Sequence, residues 1–352
     1  MADAPRQATI FDVARLAGVS HQTVSRVLND LPNVRPATKA RVEDAIKQLR
    51  YVPSPAARAL VTKRSRTIGL IATGGTEFGP SSTVLYFNVA ARDARWSVFT
   101  ANMVDSDPGS ARAAVEAFLR QNVEGIAVIS GREGVTDIVA GMELTVPLIA
   151  LQATAHAGMM TVGVDQYAGG RAATAHLIAL GHRRIAHLAG PQDSVDARER
   201  ERGWRDELAA AGLAAQVVGA GDWTPTSGFA FGQTLADEVT AVFAANDQMA
   251  LGLIHAVTER GLRVPEDLSI VGFDDIPEAE HMAPPLTTLR QDFERVGRDM
   301  LVTLLGRING DASEPMGPSQ PQLVVRASTA EAAPGTKTGR RQATLAQAPA
   351  AD

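Results

Sequence analysis

The sequence predicts a small all-α head followed by an α/β core built from two doubly wound parallel sheets. The first 66 residues have the spacing of short amphipathic helices, whereas the rest of the chain alternates between short apolar runs and helical patterns. The 352 residues are enough for two or three folding units at about 100–200 residues per domain. With 45% hydrophobic residues, the composition is that of an ordinary globular protein.

Several classes of protein are excluded by composition. The chain has no cysteine, which rules out a disulfide scaffold, a Cys-ligated zinc or iron–sulfur site and a thiol nucleophile. No stretch reaches the 18 apolar residues of a membrane span, and the N-terminus lacks the apolar region of a secretory signal. We therefore expect a cytoplasmic protein with no cofactor, no metal and no membrane partner.

The charge is unevenly distributed along the chain. Residues 1–66 carry 12 Lys and Arg against 5 Asp and Glu, a net of +7, whereas the whole chain has a net charge of −5. A basic head on an acidic body is expected when one small domain meets a polyanion such as nucleic acid. By charge alone, chance variation between domains explains the pattern equally well.

The head begins with two short helices. The apolar residues of the first recur three apart, at Ile10, Val13 and Leu16. Thr9 and Asp12 suit a capping box at its start, and Gly18 suits the tight turn at its end. Ser20 is a good N-cap for a second helix over 21–29. Two short helices joined by such a turn form a helix-turn-helix, whose second helix lies in the DNA major groove.

The second helix carries side chains that can read bases. Arg pairs with guanine, and Gln or Asn with adenine, through two hydrogen bonds. We predict DNA contacts from the polar residues of this helix: His21, Gln22, Thr23, Ser25, Arg26 and Asn29. A third helix, from Pro36 to Leu49, closes the domain. The pattern alone leaves a three-helix bundle with a solvated face as the alternative.

Longer stretches resemble a known family. The runs DVARLAGVSHQTVSRVLN (12–29) and VRPATKARVEDAIKQLRYVPSPAARAL (34–60) resemble the DNA-binding head of the LacI/GalR family of bacterial transcription regulators. The similarity continues to about residue 329 through HLAGPQDSVDAR, AANDQMALG, GLRVPEDLSIVGFDD and PPLTTLRQDF. The resemblance implies a homodimer on pseudopalindromic double-stranded operator DNA and a periplasmic-binding-protein-like core that holds a small effector.

The resemblance also implies the domain organisation. We predict a helix-turn-helix domain over 1–52, a hinge over 53–65, a core over 66–330 and a disordered tail over 331–352. Within the core, the N-subdomain is expected at about 66–164 plus 292–320 and the C-subdomain at about 165–291 plus 321–330. The hinge has two prolines and an Ala-rich stretch, so it is unstable as an isolated helix. In the family it folds on DNA, and a leucine at the position of Leu60 wedges into the minor groove; Ala57 is predicted to contact DNA beside it.

The core contains eight candidate strands separated by helices of about three turns. The strands are TIGLIAT, SVFTANM, GIAVIS, PLIAL, MTVGV, RIAHLAG, AVFAAN and SIVGF, and clear helical patterns lie at 110–121, 170–180 and 247–260. This alternation predicts parallel sheets with helices on both faces. A ligand is expected in the crevice beyond the carboxyl ends of the strands.

Polar residues follow several of these strands. Arg198, Arg200, Asn246, Asp274 and Gln291 stand at or after strand ends, where planar Arg forks and carboxylate or amide groups suit the vicinal hydroxyls of a sugar. The resemblance implies effector-binding roles for a wider set: Pro80, Ser81, Val164, Asp196, Arg200, Trp223, Asn246, Asp274 and Gln291. Asp196 and Gln152 replace a serine and an aspartate of a similar family member, which leaves a galactoside preference in doubt.

Several of these residues also have a purely structural interpretation. Asp247 suits a helix cap, Asp275 a loop brace, Trp223 core packing, and the mixed-charge run around Arg200 a solvated helix face. A glycoside hydrolase would need two flanking carboxylates, for which Asp247, Asp274 and Asp275 are the candidates. No G-x-S-x-G, H-E-x-x-H or Walker-type motif supports another chemistry.

We predict a non-enzymatic repressor of a sugar-utilisation operon that a small saccharide releases from its operator. A family member that uses a co-repressor such as a purine or a phosphoprotein, or that activates transcription, is the alternative. A periplasmic sugar carrier would lack the head. Residues 331–352 offer Leu345 as their one large apolar residue and contain two prolines and two glycines, so a tetramer-forming leucine-heptad helix is not expected there and a dimer is.

Overall fold

The computed structural model describes residues 8–28, 31–51, 64–73, 75, 77–103, 107–152, 159–215, 217–311 and 317–333. The chain divides into two compact units, Met1–Arg66 and Thr67–Asp352. No helix in these ranges is long and apolar enough to cross a membrane.

The first unit is a three-helix domain. Its helices are α1 (Ile10–Ala17), α2 (His21–Leu28) and α3 (Pro36–Leu49). They pack around a small buried core: Val13, Ala14, Ala17, Val24, Val27, Val42 and Ala45. Leu16, part of the predicted apolar spacing, is 50% exposed. The helical period of 3.6 residues brings Ala17 into the core in its place, since residue i+4 shares a face with residue i.

The predicted start and stop signals of these helices are confirmed. The Asp12 backbone N–H donates to the Thr9 hydroxyl, and the Asp12 carboxylate accepts a 2.9 Å hydrogen bond from the Thr9 N–H, which completes the capping box. Gly18 has a left-handed φ of 63° and ends α1. The hydroxyl of Ser20 accepts a 3.2 Å hydrogen bond from the Thr23 N–H at the start of α2. Local sequence chemistry therefore fixes the turn between α1 and α2.

A five-stranded parallel sheet forms the first half of the second unit. Its strand order is β2-β1-β3-β4-β5, with β1 Thr67–Ala72, β2 Ser97–Asn102, β3 Gly125–Ile129, β4 Leu148–Leu151 and β5 Met160–Val162. Its helices are α4 (Phe78–Asp93), α5 (Pro108–Arg120), α6 (Glu133–Ala140) and α11 (Phe293–Ile308). We call this sheet and its helices the five-stranded layer.

A six-stranded sheet forms the other half, with strand order β11-β10-β9-β8-β6-β7. Its strands are β6 Ile185–Ala189, β7 Val218–Ala220, β8 Ala241–Ala244, β9 Ser269–Asp274, β10 Thr287–Arg290 and β11 Gln322–Val324. Its helices are α7 (Gln166–Ala179), α8 (Val195–Ala210), α9 (Pro225–Thr234) and α10 (Asp247–Glu259), with a 3-10 turn at Pro277–His281. Only β11 pairs antiparallel among the described strands. This sheet and its helices are the six-stranded layer.

The predicted fold class is confirmed, and all eight candidate strands are present. Three strands were not among the eight. β7 and β11 have three residues each and a weak apolar signal, and β10 is the TTLR run whose end was expected at Gln291. Two predicted helices begin two to four residues earlier than their apolar periodicity indicates, because the Asp107 and Asp165 side chains cap α5 and α7. The subdomain boundaries stay a prediction.

The chain passes between the two layers at 163–165, 291–292 and 317–321, judged by the order of the elements. Two of these passages lie side by side, because Val164 and Ser319 form a parallel β-bridge and the Asp165 N–H donates to the Ser319 carbonyl at 2.8 Å. The strand ends that follow or precede these passages therefore gather near one cleft. This placement explains why residues far apart in sequence meet in one site.

The interpretation of Asp247 as a helix cap is wrong. Asn246 is the N-cap of α10, since its Oδ1 accepts a 2.8 Å hydrogen bond from the Met249 N–H. The Asp247 carboxylate is completely buried and accepts hydrogen bonds from the Ile276 N–H at 2.9 Å and the Thr288 hydroxyl at 2.6 Å. Asp247 therefore fastens the loop after β9 and strand β10 to α10.

We predict that Asp247→Ala lowers the free energy of unfolding by about 3 kcal/mol, because it leaves a buried N–H and a buried hydroxyl without acceptors. The control is Asp237→Ala, which removes an exposed ion pair to Arg260 and should change stability by less than about 1 kcal/mol. Urea unfolding followed by circular dichroism measures both. Equal urea midpoints for Asp247→Ala and the wild type would contradict the stabilising role of the Asp247 hydrogen bonds.

Candidate functional site

A cleft opens in the second unit and takes its lining from both layers, with about 650 Å³ of empty space that includes its solvent-open mouth. It is the binding site that the geometry favours, because polar groups from several strand ends converge on it. Eight of the nine predicted effector-binding residues line it: Pro80, Val164, Asp196, Arg200, Trp223, Asn246, Asp274 and Gln291. The exception is Ser81, whose exposed hydroxyl donates to the Gly75 carbonyl at 3.1 Å.

Arg200 is the centre of the site. It is 4% exposed although its neighbours in sequence form the mixed-charge surface of α8, so the interpretation as a solvated helix face is wrong. Its Nη1 donates to the Ala245 carbonyl at 2.5 Å, and its Nε donates to Gln166 Oε1 at 2.9 Å. The guanidinium carbon lies 3.8 Å from the centre of the Phe273 ring. Burial, hydrogen bonding and cation–π stacking therefore hold the charge in one place.

Asp274 supplies a carboxylate beside this guanidinium. Its Oδ1 accepts a 2.6 Å hydrogen bond from Gln291 Nε2 and lies 3.7 Å from Arg200 Nη1. The backbone of Asp274 has a φ of 112° at the end of β9, a region that non-glycine residues rarely adopt. Burial raises the pKa of Asp274 to about 6, against the opposing effect of Arg200. At neutral pH the carboxylate can accept hydrogen bonds from a ligand.

Trp223 and Asn246 form one wall together. Asn246 Nδ2 donates to the Trp223 carbonyl at 3.1 Å, so the cap of α10 also fixes the Trp223 backbone, whose φ is 72°. The indole is 9% exposed and packs on Gly190, where an added Cβ would lie 2.3 Å from the ring. Trp223 therefore belongs to the core and also presents an apolar face to the cleft.

Asp196 stands in the first turn of α8. Its Oδ2 accepts a hydrogen bond from Gln166 Nε2 at 3.2 Å. Burial raises the pKa of Asp196, while Arg200 lowers it.

The five-stranded layer contributes an aromatic pair to the cleft. Phe78 packs edge-on against Phe293 with 5.6 Å between ring centres, and both residues line the cleft near Pro80.

Gln166 and Glu77 are site residues that the sequence reasoning missed. Gln166 is buried and joins three predicted residues, since it bonds to Arg200, Asp196 and, at 3.1 Å, to Gln291 Oε1. Glu77 lies at the start of α4. Each comes shortly after a strand end, at the cleft edge of a parallel sheet, and that position is the signal that could have found both.

The remaining acidic candidates lie elsewhere. Asp275 is braced by Arg290 at 2.5 Å and Arg326 at 2.7 Å, which confirms its interpretation as a loop brace. Neither it nor Asp247 lines the cleft, so the carboxylate set imagined for a hydrolase is not assembled there. Arg198 does not line the cleft either, and its Nη1 donates to the Gln192 carbonyl at 2.8 Å. In the described ranges no cluster of His, Asp and Glu could hold a metal ion.

The head presents a separate polar surface on α2. His21, Gln22 and Arg26 are exposed, and Thr23 and Ser25 are half-buried, while Val24 and Val27 pack inward. The Arg26 guanidinium donates a long 3.4 Å hydrogen bond to the Pro32 carbonyl, and the His21 ring lies 5.2 Å from that of Phe11. Asn29, Ala57 and Leu60, the other predicted DNA contacts, lie outside the described residues.

Comparison with known proteins agrees with this division. Residues 9–54 match the model for bacterial regulatory proteins of the lacI family, and residues 174–329 match a periplasmic binding protein-like domain. Two curated regulators are similar over nearly their whole lengths. The HTH-type transcriptional regulator CelR of Thermobifida fusca is 38% identical over 88% of this chain and 95% of its own. The lactose operon repressor of Escherichia coli is 36% identical over 95% of this chain and 94% of its own.

Solved structures show the same similarity. A lac repressor dimer bound to operator and the anti-inducer ONPF superposes with a TM-score of 0.83 at 35% identity, covering 92% of this chain and all of that one. A CelR–cellobiose complex gives a TM-score of 0.68 at 35% identity, covering 91% of this chain and 99% of that one. The relatives are transcriptional regulators, so the enzyme alternative is excluded. The chain belongs to the LacI family of bacterial regulatory proteins.

Proposed function

We propose that this protein is a repressor that binds operator DNA through α2 and leaves it when a small saccharide binds in the cleft. The observation that carries the proposal is the cleft itself, in which Asn246, Asp274 and Gln291 from separate strand ends meet Arg200 from α8, beside the face of Trp223. The cellobiose complex of CelR and the operator complex of the lac repressor support it by similarity. Such a protein would act in the cytoplasm, where its DNA is.

The DNA-binding half of the proposal rests on α2. Its exposed Gln22 and Arg26 have the donor and acceptor geometry that distinguishes adenine and guanine in the major groove. One such helix covers only a few base pairs, so a homodimer would place two of them in successive grooves of a pseudopalindrome. The basic charge of residues 1–66 supplies the phosphate contacts.

The effector half rests on complementary chemistry. A sugar presents hydroxyls that both donate and accept, and the cleft offers carboxylates, amides and a guanidinium around an aromatic face. A ligand held by both layers favours one arrangement of them over another. If the DNA-bound and free states differ in that arrangement, a differential affinity of a few kcal/mol is enough for release.

We predict that Gln22→Ala and Arg26→Ala each weaken operator binding by about 1–3 kcal/mol while leaving binding to random DNA nearly unchanged, since each removes a base contact. Arg41→Ala is the charge-matched control, because Arg41 is exposed on α3 and outside the recognition helix. Fluorescence anisotropy on both DNAs measures the effect. An equal loss on operator and random DNA would contradict base reading by α2.

We predict that Arg200→Ala and Asp274→Asn bind operator yet no longer respond to the effector, because the two side chains meet in the cleft. Arg198→Ala, at a neighbouring residue of α8 that does not line the cleft, should respond normally. Operator binding titrated with a panel of mono- and disaccharides measures the response, and thermal unfolding checks that each variant is folded. A variant of Arg200 or Asp274 that dissociates at the wild-type sugar concentration would remove that residue from the site.

We predict a dimer that does not tetramerise through residues 331–352, because a heptad helix needs large apolar residues that this tail lacks. Sedimentation at micromolar concentration compares the full chain with a variant truncated after residue 330. The prediction is met if the full chain and the truncated variant both sediment as dimers. A tetramer that survives truncation would refute the dimer, and one lost on truncation would show that the tail assembles.

A further inference from the structure

The charges that line the cleft are mostly negative. The described lining residues include three carboxylates, Glu77, Asp196 and Asp274, and one guanidinium, Arg200. Glu77 belongs to the five-stranded layer and the two aspartates to the six-stranded layer. A ligand that fills the cleft must therefore meet negative charge from both sides.

The nearby cations are already engaged. Arg200 is buried, donates to Ala245 and Gln166, and lies 3.7 Å from Asp274 Oδ1. Arg132, which stands beside Glu77 after β3, pairs with Asp193 at 2.7 Å across the two layers. Both guanidinium groups therefore already bond to protein acceptors, and the three carboxylates outnumber the one guanidinium in the cleft lining.

Glu77 is the carboxylate with most capacity for a ligand. It caps no backbone N–H of α4, and within the described part of the chain its carboxylate accepts no hydrogen bond. Its Oε2 lies against Gly131, where an added Cβ would be 2.4 Å away, so the side chain is directed to the cleft side of β3. Burial raises the pKa of Glu77, and Asp193 and Asp196 raise it further, while Arg132 lowers it.

Asp196 offers the matching acceptor on the other layer. Its Oδ2 accepts one hydrogen bond, from Gln166, and its Oδ1 accepts none from the described residues. Glu77, Asp196 and Asp274 are close enough to influence one another electrostatically. Hydroxyl groups of a ligand would satisfy these oxygens with charge-assisted hydrogen bonds, whereas an anionic group would add to the repulsion.

We propose that the effector is an uncharged saccharide whose hydroxyls donate to Glu77 and Asp196, and that these two carboxylates exclude sugars carrying a phosphate or carboxylate. The inference rests on the proposed function and narrows its ligand class. Because Glu77 and Asp196 stand on different layers, one ligand that bonds to both also ties the layers together.

Calorimetric titration of the full chain tests this with matched pairs of probes. The pairs are glucose with glucose 6-phosphate, cellobiose with cellobiose 6′-phosphate, and lactose with lactose 6′-phosphate, at pH 7.5. The proteins are the wild type, Glu77→Gln, Asp196→Asn, the double variant, and Glu143→Gln as a control at an exposed position outside the cleft. Thermal unfolding of each variant shows whether it is folded, and the isosteric changes are chosen to keep the side-chain volume.

The wild type and the control should bind the neutral member of at least one pair at least 100-fold more tightly than its phosphate. Each single variant should bind that neutral sugar about tenfold more weakly, and the double variant should discriminate by less than tenfold. A phosphate bound as tightly as its neutral partner, or an unchanged preference in the double variant, overturns the inference while leaving the saccharide function in place. If no member of any pair binds, the saccharide function fails and the inference with it.

Discussion

The burial of the Arg200 guanidinium is the constraint on which the site depends. A buried charge is tolerated only when it is paired and hydrogen-bonded, and here the partners come from separate parts of the chain. The Ala245 carbonyl follows β8, Asp274 ends β9, and Gln166 begins α7. Gln291, which follows β10, bonds to both Gln166 and Asp274 and completes the network. Satisfying one guanidinium therefore fixes the ends of β8, β9 and β10 and the start of α7 relative to one another.

The same network would couple the proposed ligand to the arrangement of the two layers. Gln166 and Gln291 stand next to places where the chain passes between the two layers. These two cleft residues are therefore close in sequence to the connecting segments, which must change conformation if the layers move relative to each other. Arg132 and Asp193 add an ion pair between the layers at the edge of the site. A ligand that bonds to both layers has a different affinity for each of their arrangements, and that difference is what allosteric control requires.

Much of this architecture could be predicted from the sequence, because it follows from local rules. The Thr9 capping box, Gly18 and Pro36 mark the head helices, and long apolar runs mark the eight main strands. Strand-end position also identified Asn246, Asp274 and Gln291 as residues of one cleft, and the resemblance to a family selected Arg200. The resemblance to a family added Pro80, Val164 and Trp223, whose apolar side chains give no signal of their own.

What could not be predicted depends on contacts between distant segments. Asp247 has the sequence position of a cap, yet its carboxylate reaches Ile276 and Thr288, which no local pattern shows. Arg200 has the sequence surroundings of a surface residue, and only the stacking of Phe273 and the acceptors on other strands reveal its burial.

The central claim is that the cleft of the core and the helix-turn-helix of the head are thermodynamically linked. Linkage is reciprocal, so the factor by which a saccharide changes operator affinity must equal the factor by which operator changes saccharide affinity. Measuring the saccharide dissociation constant of the full chain with and without saturating operator, and the operator constant with and without saturating saccharide, gives both factors. The account predicts equal factors of at least tenfold, with operator weakening the binding of the sugar. A saccharide affinity that does not change when operator is bound would contradict it.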